Sequence, residues 1–504
     1  MHRHRCFVLS GSALLAFSQV CLAEVPWSFN GGQIQANLGL SVANAGDVNG
    51  DGIDDLLVAA PYYDTPNLDA GRVYLFLGSV SGLPATPSWS ADGPHALAQF
   101  GTSVSGAGDV NGDGYDDVII GAPGYSNGQT NEGGAFVYLG GPTGLAATWA
   151  WKYEPNQASA RAGVAVAGAG DTNNDGYADV IVGVSRYTNL APAEGRATLF
   201  RGSASGVVAS ASWTVDSKQA DAHYGSAVAA AGDVNGDGYA DVLVGAPEFD
   251  AGQTDEGRAF LYTGGPTGLT PVAVWSAESN QTGARFGAAL AGLGDVNGDG
   301  FDDVAIGAYL YDGGATDGGR VSVYQGSATG LPATTTWTVD LAQGGANLGV
   351  SVARAGDVNG DGYDDLVAGA FGFDNGQLNE GLVRVWTGSA TGLGMTAFAN
   401  DECDQTGAFL GYAVAGGDFD GDGAADVVGG APYADAPNGD DGIVFVYRGH
   451  APLAGDINGD GIVNGVDLGL LLGAWGSNDV GADLTHDGVV NGADIGVLLG
   501  GWTG

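Results

Sequence analysis

The segment Asp-Val-Asn-Gly-Asp-Gly-Ile-Asp-Asp starts at Asp47, and relatives of it start at Asp109, Asp171, Asp233, Asp295 and Asp357, each 62 residues after the last. A seventh copy starts at Asp418, after 61 residues. A glycine keeps the same step at Gly39, Gly101, Gly163, Gly225, Gly287, Gly349 and Gly411. A register held over seven copies means one supersecondary unit repeated, and it limits the fold before any single element is considered.

Each unit holds four strand-like runs. In the second unit they are FGTSVSGAGD, DDVIIGAP, GGAFVYLG and ATWAWKYE, separated by turns rich in Gly, Pro and Asn. Four antiparallel strands repeated seven times predict an all-β, seven-bladed β-propeller of four-stranded antiparallel blades over residues 24–449. The first run is rich in Ala, Gly, Ser and Val, which suits strands crowded around a central channel. The fourth run carries Trp27, Trp89, Trp151, Trp213, Trp275 and Trp337 at steps of 62, with Ala399 in the seventh place. These are expected to pack between blades. Trp27 precedes the first complete unit, and GIVFVYRG near residue 447 has no fourth run after it. The segment around Trp27 is therefore expected to pair with Ile443–Tyr447 and close the ring, removing both sheet edges.

Composition narrows the function. The net charge is −43, from 15 basic and 58 acidic side chains, so no basic surface can form to neutralise nucleic-acid phosphates. Residues 1–23 read as a cleaved export signal: a basic His2-Arg3-His4-Arg5 start, an apolar stretch, and Ala23 at the cleavage point. Cys21 would suit a lipid anchor, but Val20 stands before it where a small residue is expected. After cleavage Cys403 is the one cysteine, so no intramolecular disulfide can form. No later stretch is long and apolar enough to span a membrane. The expected location is extracellular or cell-surface associated.

Of the 58 acids, 26 fall in the seven short loops. Oxygen-bearing side chains stand at loop positions 1, 3, 5 and 9, and the residue at position 7 can offer its carbonyl. Calcium needs six to eight oxygens around one point, and alternate residues of a tight loop can supply them. The predicted ligand sets are Asp47, Asn49, Asp51, Ile53 and Asp55 in the first loop, and Asp109, Asn111, Asp113, Tyr115 and Asp117 in the second. Asp171, Asn173, Asp175, Tyr177 and Asp179 form the third; Asp233, Asn235, Asp237, Tyr239 and Asp241 the fourth. Asp295, Asn297, Asp299, Phe301 and Asp303 form the fifth; Asp357, Asn359, Asp361, Tyr363 and Asp365 the sixth. The seventh is Asp418, Asp420, Asp422, Ala424 and Asp426. Metal-free Asx turns are the competing reading, but three carboxylates packed in each loop would then repel without compensation.

These residues resemble the FG-GAP repeat of the integrin α-chain head. The FG element stands at Phe100-Gly101 and Phe286-Gly287, and the GAP element at Gly121-Ala122-Pro123, Gly245-Ala246-Pro247 and Gly430-Ala431-Pro432. The third unit departs furthest, with Ala162-Gly163 and Gly183-Val184-Ser185. The resemblance implies calcium loops joining the first two strands on the lower face, and partners bound on the upper face.

After a linker at residues 450–455, residues 456–504 are of another kind. DINGDGIVNGVD offers Asp456, Asn458, Asp460, Ile462, Asn464 and Asp467; DLTHDGVVNGAD offers Asp483, Thr485, Asp487, Val489, Asn491 and Asp494. Acids at positions 1, 5 and 12 with Gly at 6 give EF-hand-like spacing, and each loop leads into a short apolar helix. The pair resembles a dockerin, which implies a small α-helical module with two further calcium ions and a cohesin-like or cell-surface partner. Gly465-Val466 and Gly492-Ala493 lack the hydroxyls often used for cohesin contact.

A catalytic site must break the repeat. His95, His223, His450 and His486 stand in separate loops with no partner at recognisable spacing, and no nucleophile elbow, zinc spacing or phosphate loop occurs. Cys403 lies in the acidic DECDQ segment, which should raise its pKa. An aromatic recurs beyond the Pro position at Tyr63, Tyr125, Tyr187, Phe249, Tyr311 and Phe373, with Ala434 ending the series; its regularity favours packing. The leading reading is a secreted, calcium-stabilised binding or adhesion protein whose propeller takes a protein or glycan. The alternatives are a polysaccharide lyase or glycoside hydrolase attached through a dockerin, and a purely structural surface protein.

Overall fold

In the computed structural model, which describes residues 26–435, 439–449, 455–457, 463–477, 482–485 and 488–502, the repeat is seven four-stranded antiparallel sheets arranged as the blades of a propeller. Blade 2 is typical: Ser103–Gly108, Asp117–Ala122, Gly134–Tyr138 and Trp151–Tyr153 follow one another across the sheet. Every residue of Asp117–Ala122 is buried, because this strand is covered on both faces by neighbouring blades. That explains its unbroken apolar run where a half-exposed strand would alternate. The first strands of adjoining blades pack side by side around the axis. Small residues are required there: a Cβ added at Gly106 would come within 2.9 Å of the Asn44 carbonyl oxygen in blade 1.

The hydrophobic core is divided among the interfaces. Seven clusters lie between consecutive blades. The fourth-strand tryptophans are the repeated keys. Trp89 sits edge-on to Tyr138 of the next blade at 5.1 Å, and Trp27, Trp151, Trp213, Trp275 and Trp337 meet Phe76, Phe200, Tyr262, Tyr324 and Trp386 in the same way. The indole N–H also crosses the interface, as from Trp213 to the Thr270 carbonyl at 2.8 Å. Trp151 departs: its indole nitrogen is buried without a partner. In blade 6 the smaller Ala399 takes the position, and Phe398 and Phe445 fill out that interface.

Ring closure follows the strand count. Trp27–Asn30 is the outer strand of blade 7 and pairs antiparallel with Ile443–Tyr447, Trp27 opposite Val446 and Asn30 opposite Ile443. Residues 1–25, which hold the expected export signal, lie outside the described residues.

Two helices follow the propeller, Gly465–Gly473 and Gly492–Gly500. Each starts with an asparagine cap (Asn464, Asn491) whose side chain accepts from the backbone while Asp467 or Asp494 reaches back, closing a capping box. Val463, Leu471, Ala482, Val490 and Leu498 form the small core between them. No helix among the described residues is long and apolar enough to cross a membrane.

Candidate functional site

The seven acidic loops are the turns of the first hairpins, all at one end of the propeller, here the lower face. Asp47 organises its own loop: Oδ1 accepts the N–H groups of Gly50 (2.7 Å) and Asp51 (3.0 Å), and Oδ2 that of Gly52 (2.7 Å). Asn49 Oδ1 accepts from Asp51 N at 2.9 Å, and Asp51 Oδ1 from Ile53 N at 3.1 Å. Asp55 lies beneath, fully buried, accepting from Val48 N (3.0 Å) and Gly78 N (2.8 Å), so it ties the loop to the end of the third strand. Asp117, Asp179, Asp241, Asp303, Asp365 and Asp426 are buried and held in the same way.

Few cations of the protein offset the charge this concentrates: Arg448 pairs with Asp420 at 3.2 Å and Arg354 with Asp364 at 2.8 Å. Burial, reinforced by Asp51 and Asp47 and opposed by the two backbone N–H groups, pushes the Asp55 carboxyl up to about 7. Asp117, Asp241, Asp303 and Asp365 reach the same value and Asp426 about 8, burial being the first cause each time. In the seventh loop one carboxylate oxygen from each of Asp418, Asp420 and Asp422 lies within 4.8 Å of the others. The buried Oδ1 atoms of Asn173 and Asp420 have no hydrogen-bond partner. Oxygen-only donors, desolvated carboxylates and orphaned oxygens fit a hard divalent cation, and positions 1, 3, 5 and 9 could hold it.

Two further loop positions act in ways the sequence pattern does not reveal. The acid at position 8 reaches back a blade: Asp116 Oδ2 accepts from Asp47 N at 2.9 Å, Asp364 from Asp295 N at 3.0 Å, and Asp54 from Asp418 N at 3.1 Å across the closure. The side chain at position 7 leans on the preceding loop, Tyr177 against Gly112 and Tyr363 against Gly298. The partners lie in another repeat, 69 residues away for Asp116 and 364 for Asp54 across the closure, so no local motif could mark them.

In the C-terminal module the loop residues Asp467 and Asp494 are fully buried. Asp467 accepts from Ile457 N and Asn464 N, each at 2.9 Å, and Asp494 from Thr485 N (2.9 Å) and Asn491 N (2.7 Å). The hydroxyl of Thr485 also donates to Asp494 at 2.9 Å, so this side chain braces the loop's final acid. Asn458, Asp460, Ile462 and Asp487 lie outside the described residues, as do His450 and His486.

The upper face breaks the repeat. At its mouth, on blades 6 and 7, Phe371, Phe409, Tyr412 and Tyr433 form a half-buried aromatic cluster, with ring centroids 5.3 Å apart for Phe409 and Tyr433 and 5.6 Å for Phe371 and Phe409. Burial first, then the neighbouring Tyr433, Tyr62 and Tyr309, raise the Tyr412 hydroxyl above its ordinary pKa. On blades 3 and 4 the mouth is polar instead. His223 Nδ1 meets Glu248, whose other oxygen takes Arg285 Nη1 at 2.5 Å. Burial, with Arg186 and Arg285, holds the His223 ring below its ordinary pKa. His223 is thus not isolated, and His95 is not either: it stacks on Tyr125 at 5.1 Å and accepts from Ser126 N at 2.9 Å. The regular aromatics past the Pro position do pack, and in blades 1 to 5 each lies under a base, as Arg196 lies 3.7 Å from the Tyr187 ring centre. Cys403 packs against the interface of blades 6 and 7, and burial, then Asp401, Asp404 and Glu380, pushes its thiol up to about 12.

The FG-GAP repeat model matches residues 38–76, 100–138, 162–200, 224–262, 286–324, 348–386 and 410–447, together more than half of the chain. Curated proteins with similar sequences include integrin alpha-V of Gallus gallus, 33% identical over 218 residues (42% of this chain and 20% of that protein). Integrin alpha-PS2 of Drosophila melanogaster is 35% identical over 170 residues (31% and 12%). Integrin alpha-IIb of Mus musculus is 37% identical over 164 residues (31% and 15%). The matched part thus spans a fifth or less of these relatives.

Proposed function

The chain belongs to the FG-GAP repeat family, and from that premise we propose that it is a secreted, calcium-stabilised binding protein that takes a protein or glycan on the upper face of its propeller. The observation that carries this is the Phe371, Phe409, Tyr412 and Tyr433 cluster. It has no aromatic counterpart at the matching positions of blades 2 and 3, and its large rings stay half-exposed. Aromatic side chains with a polar tip are favoured at recognition surfaces, for proteins and sugars alike. Hydrolysis or elimination on a polysaccharide would call for an acid and a base set across a cleft. The repeat-breaking residues of the mouth are instead aromatic on one side and, on the other, a mutually paired His223, Glu248 and Arg285, which favours recognition.

Calcium at the seven lower-face loops would supply the charge their carboxylates lack, through the residues at positions 1, 3, 5, 7 and 9. Two further ions would serve the C-terminal loops. The C-terminal module is read as a dockerin-like tag: Leu470, Leu472, Trp475, Leu499 and Trp502 stay exposed on and just after its helices, an apolar surface suited to a cohesin-like or cell-surface partner. An export signal in residues 1–23 places the protein outside the cell. The test is a screen of glycans, cell-wall fractions and surface proteins with calcium present. The triple variant Phe409→Ala, Tyr412→Ala, Tyr433→Ala should lose binding while keeping its calcium-dependent melting temperature. Unchanged binding by that variant would move the site elsewhere.

A further inference from the structure

At the upper edge an acid closes the fourth strand of six blades, and in five of them it is neutralised. In blade 3 Arg196, at the start of the third strand, lies over Tyr187 and pairs with Asp216 at 2.6 Å. Blades 1, 4 and 5 use an arginine from the same position for the same purpose. Blade 2 has glycine there and supplies Lys152 to Glu154 from the fourth strand itself. In blade 7 the acid is replaced by Asn30. Blade 6 alone keeps the acid, Glu402, and lacks the base: Leu382 stands opposite it in the ladder. The nearby Arg384 donates to Asn400 instead. Among the described residues no cation pairs with Glu402.

Two more carboxylates gather there. One oxygen from each of Glu380, Glu402 and Asp404 lies within 4.8 Å of the other two. Glu380 is 0% exposed; its Oε1 accepts from Asn375 N and from Gln377 N at 3.4 Å, and its buried Oε2 has no partner. The amide oxygen of Gln377 is buried and unpartnered as well. Blades 2, 3 and 4 bury the equivalent glutamate with the same orphaned oxygen, but beside an ion-paired acid, and with Asn156, Lys218 or Asn280 where blade 6 has Asp404. Blade 6 therefore combines one more negative charge with one fewer positive charge. A buried carboxylate must be paired, bound to a metal or neutralised by a proton.

We propose that Glu380, Glu402 and Asp404 form a separate cation site on the upper edge of blade 6, taking a hard divalent ion of the calcium class. The donors are all oxygen and irregularly arranged, which calcium accepts and magnesium tolerates poorly. The Asn375 side-chain amide donates to both oxygens of Glu402, at 2.9 and 2.8 Å, and fixes its orientation. Asp404 is exposed, so one side of the ion stays open to water or to an oxygen of a bound partner.

Hydrogen–deuterium exchange on the full chain tests this, because it reads blade 6 apart from the lower-face loops. For a site of about 1 mM affinity, about 10 mM calcium should slow exchange of the amides in residues 374–381 and 402–407 by about tenfold. The Glu402→Gln, Asp404→Asn double variant should lose that response while its hairpin loops keep theirs. Leu382→Arg should restore the pairing of blades 1, 3, 4 and 5 and protect the segment with or without calcium. If the loops respond and residues 374–407 do not, or if the double variant responds like the parent, the site does not exist. A response in blade 6 without one in the loops would leave this site standing and overturn the lower-face reading.

Discussion

Tyr115 lies against Gly50 of the preceding blade so closely that a Cβ added at Gly50 would come within 2.7 Å of the ring's Cε1. Gly50 also has φ +77°, and the same contact joins Gly112 to Tyr177, Gly236 to Phe301, Gly298 to Tyr363 and, across the closure, Gly421 to Ile53. The lower-face loops thus interlock at five of their seven junctions, where one loop leans on the one before.

Gly50→Ala and Gly52→Ala separate the contact from backbone strain. Both glycines have positive φ, but a Cβ at Gly52 meets nothing within 4 Å. Each substitution should cost about 1 kcal/mol for the left-handed backbone, and Gly50→Ala about 1–3 kcal/mol more for overpacking. Denaturant unfolding in saturating calcium measures the difference; equal losses would mean the loops do not interlock.

Metal and proton compete for the position-nine aspartates. Their folded pKa values, about 7 for Asp55 and about 8 for Asp426, stand above the ordinary 3.8. Each therefore adds stability to the ion-free protein that is fully present below pH 3.8 and lost as pH rises through about 7. Calcium needs the carboxylate, so its binding strengthens over the same range. The gain in melting temperature from millimolar calcium should widen from pH 5 to pH 8. A gain independent of pH, or none at all, would refute the calcium reading of these loops.

Closure depends on one short strand. Trp27→Ala removes an edge-to-face contact with Phe76 at 4.9 Å and an indole bond to the Pro84 carbonyl at 3.1 Å, and should cost about 2–4 kcal/mol. Deleting Trp27–Asn30 should expose the edge of Ile443–Tyr447 and cause concentration-dependent aggregation, seen by light scattering. A monomeric deletion variant with unchanged melting temperature would show that closure contributes nothing.

Cys403 should be inert. With its thiol pushed up to about 12, almost none is thiolate at pH 8, and a disulfide reagent should label the folded protein starting at residue 24 only after denaturant is added. Rapid labelling in native buffer would place the thiol in a different environment.

The propeller and its closure were legible because a 62-residue period needs no tertiary knowledge: Trp27 stands 11 residues before Leu38 as Trp89 stands 11 before Phe100. The lower-face loops were legible for the same reason, since all five positions lie within nine residues. What stayed hidden depends on partners in other units. Asp116 stands outside the predicted ligand sets and accepts from the N–H of Asp47, and His223 looked isolated until Glu248 and Arg285 came beside it. The blade 6 acids were hidden differently. Glu402 looks like its counterparts in the other blades, and only the Leu382 facing it across the ladder shows that the usual arginine is gone.

The placement of Trp27–Asn30 also decides how the molecule bears load. Ile443–Tyr447 is the last propeller strand before the C-terminal module, so tension arriving through the residues after Gly449 enters the ring there. Had that strand been an edge, a steady pull could have peeled it off one hydrogen bond at a time. Instead it is bonded along both sides, to Asp426–Ala431 and to Trp27–Asn30, and must break two ladders together to leave. A pull on the C-terminal end would thus meet a strand fastened along both sides.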